Sequence, residues 1–295
     1  MEGMDVFLIY IATVLCAGVR SVLTKQNGRM GGIEVQFNLL RALSAFVLFG
    51  ALVLMGGGAM HPPTVLYGIA YGFLFFGSCV CGLRAMALGP LSITSSLVAF
   101  SLVLPCLFGA LVLKEPIRLP DAVGFVLIVA AVLMMNRRTR GGVQSGGAKF
   151  KRGWGVFLCG TVVCDGLHAI VKTLHQRSYP GLYRYEFMCT GMLVGTLLFL
   201  LVALQRRRVL AESERALVIK SSVCGAAAGI FNGLYNYFVL YLAASESAMA
   251  LFPIVSVATI AVGLLSGRLI FKERLNRLQL GGVFVSMLAV LLMKI

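Results

Sequence analysis

Runs of about 20 mostly apolar residues, separated by short polar breaks, follow one another along nearly the whole chain. Each run is long enough to cross about 30 Å of hydrocarbon as a helix. The 295 residues are 59% hydrophobic and only 13% charged, far from the composition that keeps the surface of a soluble domain wet. The pattern therefore predicts an all-α polytopic membrane protein. Ten transmembrane helices are expected near residues 5–24, 32–54, 64–86, 90–113, 120–136, 153–173, 184–205, 217–242, 246–271 and 277–294.

The basic residues and the cysteines both fit this interpretation. The net charge is +15, but most Lys and Arg residues lie in short connections between apolar runs and form no basic face for nucleic acid. The eight cysteines all fall inside predicted helices, where small apolar fillers are expected rather than disulfides or a metal cluster. The chain has three histidines, and it lacks an HExxH motif, a carboxylate cluster with metal-ligand spacing and an ATP-binding motif. We expect no enzyme activity, no cofactor and no metal.

The chain contains an internal repeat. Residues 114–135 align without gaps with residues 272–293, and both segments begin with Lys-Glu. Residues 13–20 and 161–168 share a Thr-Val-x-Cys-x-Gly pattern. Because a repeat with an odd number of spans enters one side of the membrane and leaves from the other, its second copy must be inverted. The prediction is two inverted five-helix repeats, 1–136 and 153–295, joined by a basic Gly-rich linker at 137–152.

These residues resemble a known family. An apolar helix ending in Lys-Glu, a short turn and a Gly-containing fifth helix, present at 111–135 and 269–293, resemble the paired EamA domains of the drug/metabolite transporter superfamily. Residues 85–115 resemble that family's passage from the third to the fourth helix, and Arg41 matches its second-helix arginine. The resemblance implies a ten-helix transporter. Thr190 stands where the second repeat would place the counterpart of Arg41, so any role of that arginine is not duplicated.

The distribution of basic residues predicts the orientation. Lys and Arg concentrate in the loops that follow odd-numbered helices, which places those loops in the cytoplasm and both termini outside. A bacterial cytoplasmic (inner) membrane is the expected location.

Charged residues deep in hydrocarbon cost at least about 2.5 kcal/mol each, so their depth separates functional candidates from ordinary side chains. Five charged residues lie within about a turn of a predicted helix end, where their heads can snorkel to the lipid headgroups: Arg20, Arg84, Lys172, Glu186 and Arg268.

Arg41 and Asp165 lie deeper than those five. Asp165, His168 and Lys172 follow each other at spacings of three and four, which places them on one face of the sixth helix. One hypothesis is that Asp165 and His168 hold and release a proton coupled to substrate movement. The alternative is a static pair, in which Asp165 neutralises Arg41 or Arg20 and holds helices together.

The eighth helix carries amide and phenol groups. Asn232 and Asn236 share a face, and with Tyr235 they are candidates for binding polar groups of a substrate. Interhelical hydrogen bonding is an equally open interpretation. Asn38 and Thr190 are further candidates for lining the same cavity, although such residues often bond to their own helix backbone.

Small residues and prolines suggest where helices pack or bend. Gly225, Gly229 and Gly233 recur at intervals of four, a spacing that favours close helix contact. Pro105 and Pro253 interrupt the fourth and ninth helices, where the missing amide donor permits a hinge or bend.

The leading functional expectation is a secondary active transporter, an exporter or exchanger, of a small polar or amphipathic metabolite such as an amino acid. Alternating access around a central cavity is the expected mechanism, with the substrate, coupled protons and membrane lipids as partners. A lipid-carrier flippase and a non-transporting membrane scaffold are alternatives, because both can use the same helices.

Overall fold

A computed structural model of the chain describes residues 2–58, 60–89, 94, 97–116, 118–136, 151–206, 215–270 and 277–294. The described residues are all-helical, with ten α-helices and a 3₁₀ turn at Ala99–Leu102. The helices are α1 (Glu2–Arg29), α2 (Glu34–Met55), α3 (Pro62–Leu88), α4 (Val103–Leu111), α5 (Leu119–Asn136), α6 (Trp154–Ser178), α7 (Arg184–Arg206), α8 (Arg215–Leu242), α9 (Ala248–Leu269) and α10 (Arg277–Lys294).

The helices have the length and surface of membrane-spanning segments. Seven of those in the described ranges, α1 to α3 and α6 to α9, are long and apolar enough to cross a membrane, and α4, α5 and α10 are shorter apolar helices. Large apolar side chains point outward along them, with Leu54 83% and Phe284 70% exposed. So much exposed apolar surface is unfavourable in water but is well solvated by lipid tails.

The chain divides into two compact units. Unit 1 contains residues 1–76 and 171–244, and unit 2 contains residues 77–170 and 245–295. Each unit therefore takes helices from both predicted repeats, and α3 and α6 each contribute residues to both units. Packing does not follow the boundary between the repeats.

Unit 1 is built around α2. This helix packs against α7 and α8, and α1 packs against α8. Its core contains the fully buried side chains of Phe49, Tyr71, Phe187 and Met188. The Tyr71 and Phe187 rings meet edge to face with centroids 5.1 Å apart, which brings the first part of α3 onto α7.

In unit 2, α5 packs against α9 and α10, and α4 packs against α9. The second part of α3 lies close to α6. A β-carbon built on Gly160 would be 2.9 Å from Cys81 Sγ, and one built on Gly82 would be 3.5 Å from the Thr161 methyl. Small residues thus allow α3 and α6 to approach closely.

The helix pairs show the relation between the two halves. If α1–α5 correspond to α6–α10, the pair α1 and α8 is equivalent to the pair α6 and α3, and both pairs are in contact. In the pair α2 and α7, and likewise in the pair α5 and α10, the two helices are counterparts of each other in the two repeats, so each pair is its own equivalent. Two five-helix repeats with equivalent helices account for this exchange of partners.

Two helices extend beyond their predicted ends. The predicted ends at residues 24 and 173 were too early, since α1 continues to Arg29 and α6 to Ser178. Lysine and glutamine are good helix formers, so a polar break need not end a helix. After α1 the chain turns at Gly31 (φ 65°), and after α6 it turns at Gly181 (φ 76°); both glycines adopt the left-handed conformation that glycine tolerates.

The Lys-Glu motif of the first repeat has a structural role in unit 2. Glu115 Oε2 accepts a hydrogen bond of 2.9 Å from the backbone amide of Ala248, the first residue of α9. A carboxylate at the N-terminus of α9 accepts from a backbone amide that the helix leaves unpaired, and it is attracted by the positive end of the helix dipole. A β-carbon on Gly109 would be 2.7 Å from the same oxygen, so glycine makes room for the contact.

Some sequence predictions fall on residues outside the described ranges. They include the second Lys-Glu motif, Lys272 and Glu273, and all but the last two residues of the predicted linker at 137–152.

Candidate functional site

Two buried amides on α8 form the centre of a polar cluster in unit 1. Asn232 and Asn236 are 2% and 3% exposed and lie one helical turn apart on the same face. Asn236 Nδ2 donates to the backbone oxygen of Asn232 at 2.8 Å, which leaves both side-chain oxygens available to other helices.

Two cations from other helices bind these oxygens. Arg20 Nη1 on α1 donates to Asn232 Oδ1 at 3.1 Å, and Lys172 Nζ on α6 donates to Asn236 Oδ1 at 3.1 Å. The Arg20 guanidinium also lies 4.5 Å from the centroid of the Tyr235 ring, within range of a cation–π interaction. We call Arg20, Lys172, Asn232, Tyr235 and Asn236 the α8 polar cluster.

The contacts correct the interpretation of Arg20 and Lys172 as snorkelling residues. Since α1 and α6 are longer than predicted, Arg20 lies nine residues and Lys172 six residues from the C-terminal end of its helix. Lys172 is only 4% exposed. Both heads donate hydrogen bonds to side-chain amides of α8.

One donor of the cluster is unsatisfied. Asn232 Nδ2 is buried and has no hydrogen-bond partner among the described residues. A buried amide donor without an acceptor costs roughly 1 to 3 kcal/mol, and such groups commonly mark a ligand or water position. The cluster can therefore supply one neutral donor, Asn232 Nδ2.

Arg41 lies in unit 1 against aromatic rings. Its guanidinium carbon is 5.1 Å from the Phe75 ring centroid and 5.9 Å from that of Phe37. The side chain is half-buried. These rings attract the cation through their quadrupoles and hold it at the level of the second turn of α2.

The acid and imidazole of the predicted proton site belong to the part of α6 in unit 2. Asp165, His168 and Lys172 occur on this one continuous helix, with Asp165 and His168 half-buried. Asp165 Oδ1 accepts a hydrogen bond of 2.5 Å from Ser78 Oγ on α3. Ser78 is thus a partner of the carboxylate, and the proton role of Asp165 and His168 stays a prediction.

Asn38 and Thr190 bond to their own helices. Asn38 Nδ2 donates to Glu34 O at 2.9 Å, and Thr190 Oγ1 donates to Glu186 O at 2.9 Å. The Thr190 side chain also packs on α3, since a β-carbon on Gly68 would be 2.7 Å from its Cβ. These contacts give both residues a structural explanation.

The three glycines of α8 face α2. A β-carbon on Gly225 would overlap the backbone oxygen of Phe37, and one on Gly233 would be 2.9 Å from the Phe49 ring. A β-carbon on Gly229 would overlap the backbone oxygen of Arg41. The glycine face therefore brings the backbones of α2 and α8 together and positions Asn232 and Asn236 on the same helix.

The two prolines are buried inside helical segments. Pro105 is the third residue of α4, directly after the 3₁₀ turn, where a missing amide donor is tolerated. Pro253 lies six residues into α9, which continues through it. Their role as hinges stays a prediction.

A second polar group surrounds the connection between α6 and α7. Gln176 Nε2 donates to His175 Nδ1 at 3.0 Å, and Gln176 Oε1 accepts from Arg184 Nε at 3.0 Å and from the Gly181 amide at 3.3 Å. His175 Nε2 is 3.2 Å from Thr64 Oγ1. Thr64, His175 and Gln176 are fully buried. We call these five residues the α6–α7 network.

Aromatic rings cover this network. His61 stacks on Tyr183 with centroids 4.5 Å apart, and the Arg184 guanidinium lies 4.1 Å from the Tyr241 ring centroid. No sequence motif predicted this group. Tyrosines recurring at 179, 183 and 185, beside a polar break, are the available signal, because tyrosine is enriched at membrane boundaries.

In the described ranges, no group of three or more His, Cys, Asp or Glu residues has an arrangement that could hold a metal ion.

Comparison with known proteins assigns the fold to a family. The model of the EamA-like transporter family matches residues 5–137 and 154–295. A solved crystal structure has a TM-score of 0.74 and 15% sequence identity, with 98% of this chain and 96% of that chain covered, a likeness that concerns the fold alone. No curated protein matches the chain.

Proposed function

The chain belongs to the EamA-like transporter family, and we propose that it is a secondary active transporter that exports or exchanges a small polar or amphipathic metabolite, such as an amino acid. It is an integral membrane protein. In this proposal all ten helices span the membrane, with the shorter α4, α5 and α10 crossing by local thinning of the bilayer.

The α8 polar cluster is the observation that carries the proposal. A buried lysine, an arginine and two buried amides inside membrane helices are expensive to maintain, and residues of this kind generally mark a substrate or ion pathway. The cluster combines α1 of the first repeat with α6 and α8 of the second. Relative movement of the repeats would therefore change the contacts of the bound cargo.

The exchanged helix pairs support alternating access. Two similar halves related by a two-fold axis can exchange their conformations, which gives inward-open and outward-open states of nearly equal energy. Substrate binding then has to overcome only a small energy difference between the inward-open and outward-open states.

We further propose a bacterial inner membrane with both termini outside, because the loops after odd-numbered helices are rich in Lys and Arg. A reporter that is active only in the cytoplasm should be active when fused at residue 145. A fusion there that is active only after export would contradict this orientation.

Transport is testable in proteoliposomes. Vesicles are preloaded with a mixture of unlabelled metabolites and placed in a labelled sample of the same mixture, from which they should take up the substrate transiently by exchange. A pH gradient across the vesicle membrane should drive net uptake of that substrate. Asp165→Asn is expected to keep the exchange and to lose at least about 90% of the pH-driven uptake, because an amide cannot carry the proton.

Ser78→Ala is the matched control, since it removes the hydrogen bond to Asp165 and leaves the carboxylate able to titrate. It should keep the response to the pH gradient. Unchanged pH-driven uptake by Asp165→Asn would eliminate the proton role, and a failure of the native protein to exchange any metabolite would contradict the transport function.

A further inference from the structure

Two cysteines lie diagonally opposite each other where α3 contacts α6. A β-carbon built on Gly160 would be 2.9 Å from Cys81 Sγ, and one built on Gly77 would be 3.0 Å from Cys164 Sγ. Gly77 lies one helical turn from Cys81 on α3, and the same spacing separates the glycine and the cysteine on α6. Each sulfur therefore rests on the glycine that lies one turn from the other sulfur.

This arrangement brings the two sulfurs close together. Cys81 and Cys164 are free thiols, and they are close enough to interact electrostatically. Because each sulfur rests on a glycine one turn from the other, the two positions are offset by about one turn, about 5.4 Å along the helices. Both residues are half-buried, so neither is sealed inside the core.

A bound metal ion fits this offset better than a disulfide does. A sulfur–sulfur bond is about 2.05 Å long, and it requires Cα atoms no more than about 7 Å apart. An ion between two thiolates holds their sulfurs about 4.6 Å apart, since a typical metal–sulfur bond is about 2.3 Å long. The second distance is close to the offset of one turn, whereas the first would require the helices to slide along each other.

The number of ligands selects the class of ion. In the part of the chain that the structure describes, no group of three or more His, Cys, Asp or Glu residues could hold a metal, so the two thiols form the whole ligand set. Zn²⁺ is almost always held by four ligands, or by three and a water. Thiolates are soft ligands that select Cu⁺ and similar thiophilic cations, and these ions accept two sulfurs in a line.

We propose that Cys81 and Cys164 form a binding site for one thiophilic cation of the class of Cu⁺, Ag⁺ and Hg²⁺. Binding forms two metal–sulfur bonds and releases one proton from each thiol, with no change of oxidation state. The two cysteines then differ from the small apolar fillers that the sequence predicted. Because α3 belongs to the first repeat and α6 to the second, a bound ion would join the repeats and restrict movement between them.

Metal retention by the purified full-length protein in detergent tests this site. The protein is loaded with Hg²⁺ and then gel-filtered in millimolar glutathione, a monothiol that removes the ion from single cysteines. Two thiols fixed on adjacent helices compete as one chelating ligand, because the second thiol binds at a high effective concentration. The native protein should keep about one Hg²⁺ per chain, and it should keep no Zn²⁺ after the same treatment.

Variants of the two helices locate the ion. Cys81→Ala and Cys164→Ala should each lower the retained Hg²⁺ at least about tenfold, because one thiol cannot chelate. Cys159→Ala is the matched control, since it removes an exposed thiol from α6 and should keep the native amount. Cys79→Ala is the equivalent control on α3. If an alanine variant does not fold, serine at the same position keeps the size and supplies only a hard oxygen ligand.

Three results would overturn the proposal. If the Cys81 or Cys164 variants keep the native amount of Hg²⁺, other cysteines hold the ion. If the native protein loses its Hg²⁺ to glutathione, the two sulfurs do not act as a pair. If Zn²⁺ is retained as well as Hg²⁺, the site has more ligands than these two thiols.

Discussion

Replacing Gly229 by alanine is expected to destabilise the protein by about 2 to 3 kcal/mol, although alanine is the better helix former. A β-carbon at this position would overlap the backbone oxygen of Arg41 and the Ser44 hydroxyl and lie 2.8 Å from the Arg41 Cα. Backbone atoms cannot rotate away as a flexible side chain can. The substitution therefore forces α8 away from α2, the helix at the centre of unit 1.

Gly263→Ala is the matched control. It makes the same chemical change inside a helix, α9, where a β-carbon would have no neighbour within 4 Å. It should leave the unfolding temperature unchanged or raise it slightly, because alanine favours the helix by up to about 1 kcal/mol. Thermal unfolding of both variants in the same detergent gives the comparison. Equal unfolding temperatures for the two variants would show that α2 and α8 are not as close as described.

The sequence predicted the features that depend on local pattern and on the repeat. Apolar periodic runs predicted an all-helical membrane protein, and the gapless matches predicted the family; both are confirmed by the helices and by the family match over the two halves. The spacing of Gly225, Gly229 and Gly233 also indicated a packing face, because such a face is visible within a single helix.

Tertiary contacts were beyond the reach of the same reasoning. The predicted helix end at residue 24 placed Arg20 within about one turn of the end of α1. The observed end at Arg29 places Arg20 deeper in the helix, where it contacts Asn232. The pairing of Lys172 with Asn236 depends on which helix faces α6, a relation that periodicity does not encode. Thr190 was a candidate because it is polar, yet its hydroxyl is satisfied one turn away in its own helix.

The α6–α7 network was missed for a related reason. Its members come from α3, the end of α6, a short connection and the start of α7. No local sequence pattern distinguishes any of them within its own segment. Gln176 joins them only because Gly181, at φ 76°, turns the chain back over the end of α6. A polar residue near a helix end normally predicts exposure to water or headgroups, and here Gln176 is fully buried.

Removing the Gln176 side chain is expected to have the largest effect on stability. Gln176→Leu removes the donor to His175 Nδ1 and the acceptor of Arg184 Nε and the Gly181 amide, while keeping a buried side chain of similar size. Lost bonds to buried neutral groups cost roughly 1 kcal/mol each, and a lost bond to a charged group costs more. The expected loss is about 3 to 4 kcal/mol, with the connection between α6 and α7 opening first.

Trypsin provides a local measurement of that opening, because Arg177 and Arg184 flank the connection. The native protein should resist cleavage at Arg184, whose side chain is held by Gln176 Oε1 and by the Tyr241 ring. Gln176→Leu should be cut there faster and should unfold at a lower temperature. Gln205→Leu makes the same substitution at an exposed position and should do neither. If both variants resist trypsin equally, the network does not hold this connection, and the tight turn at Gly181 alone maintains it.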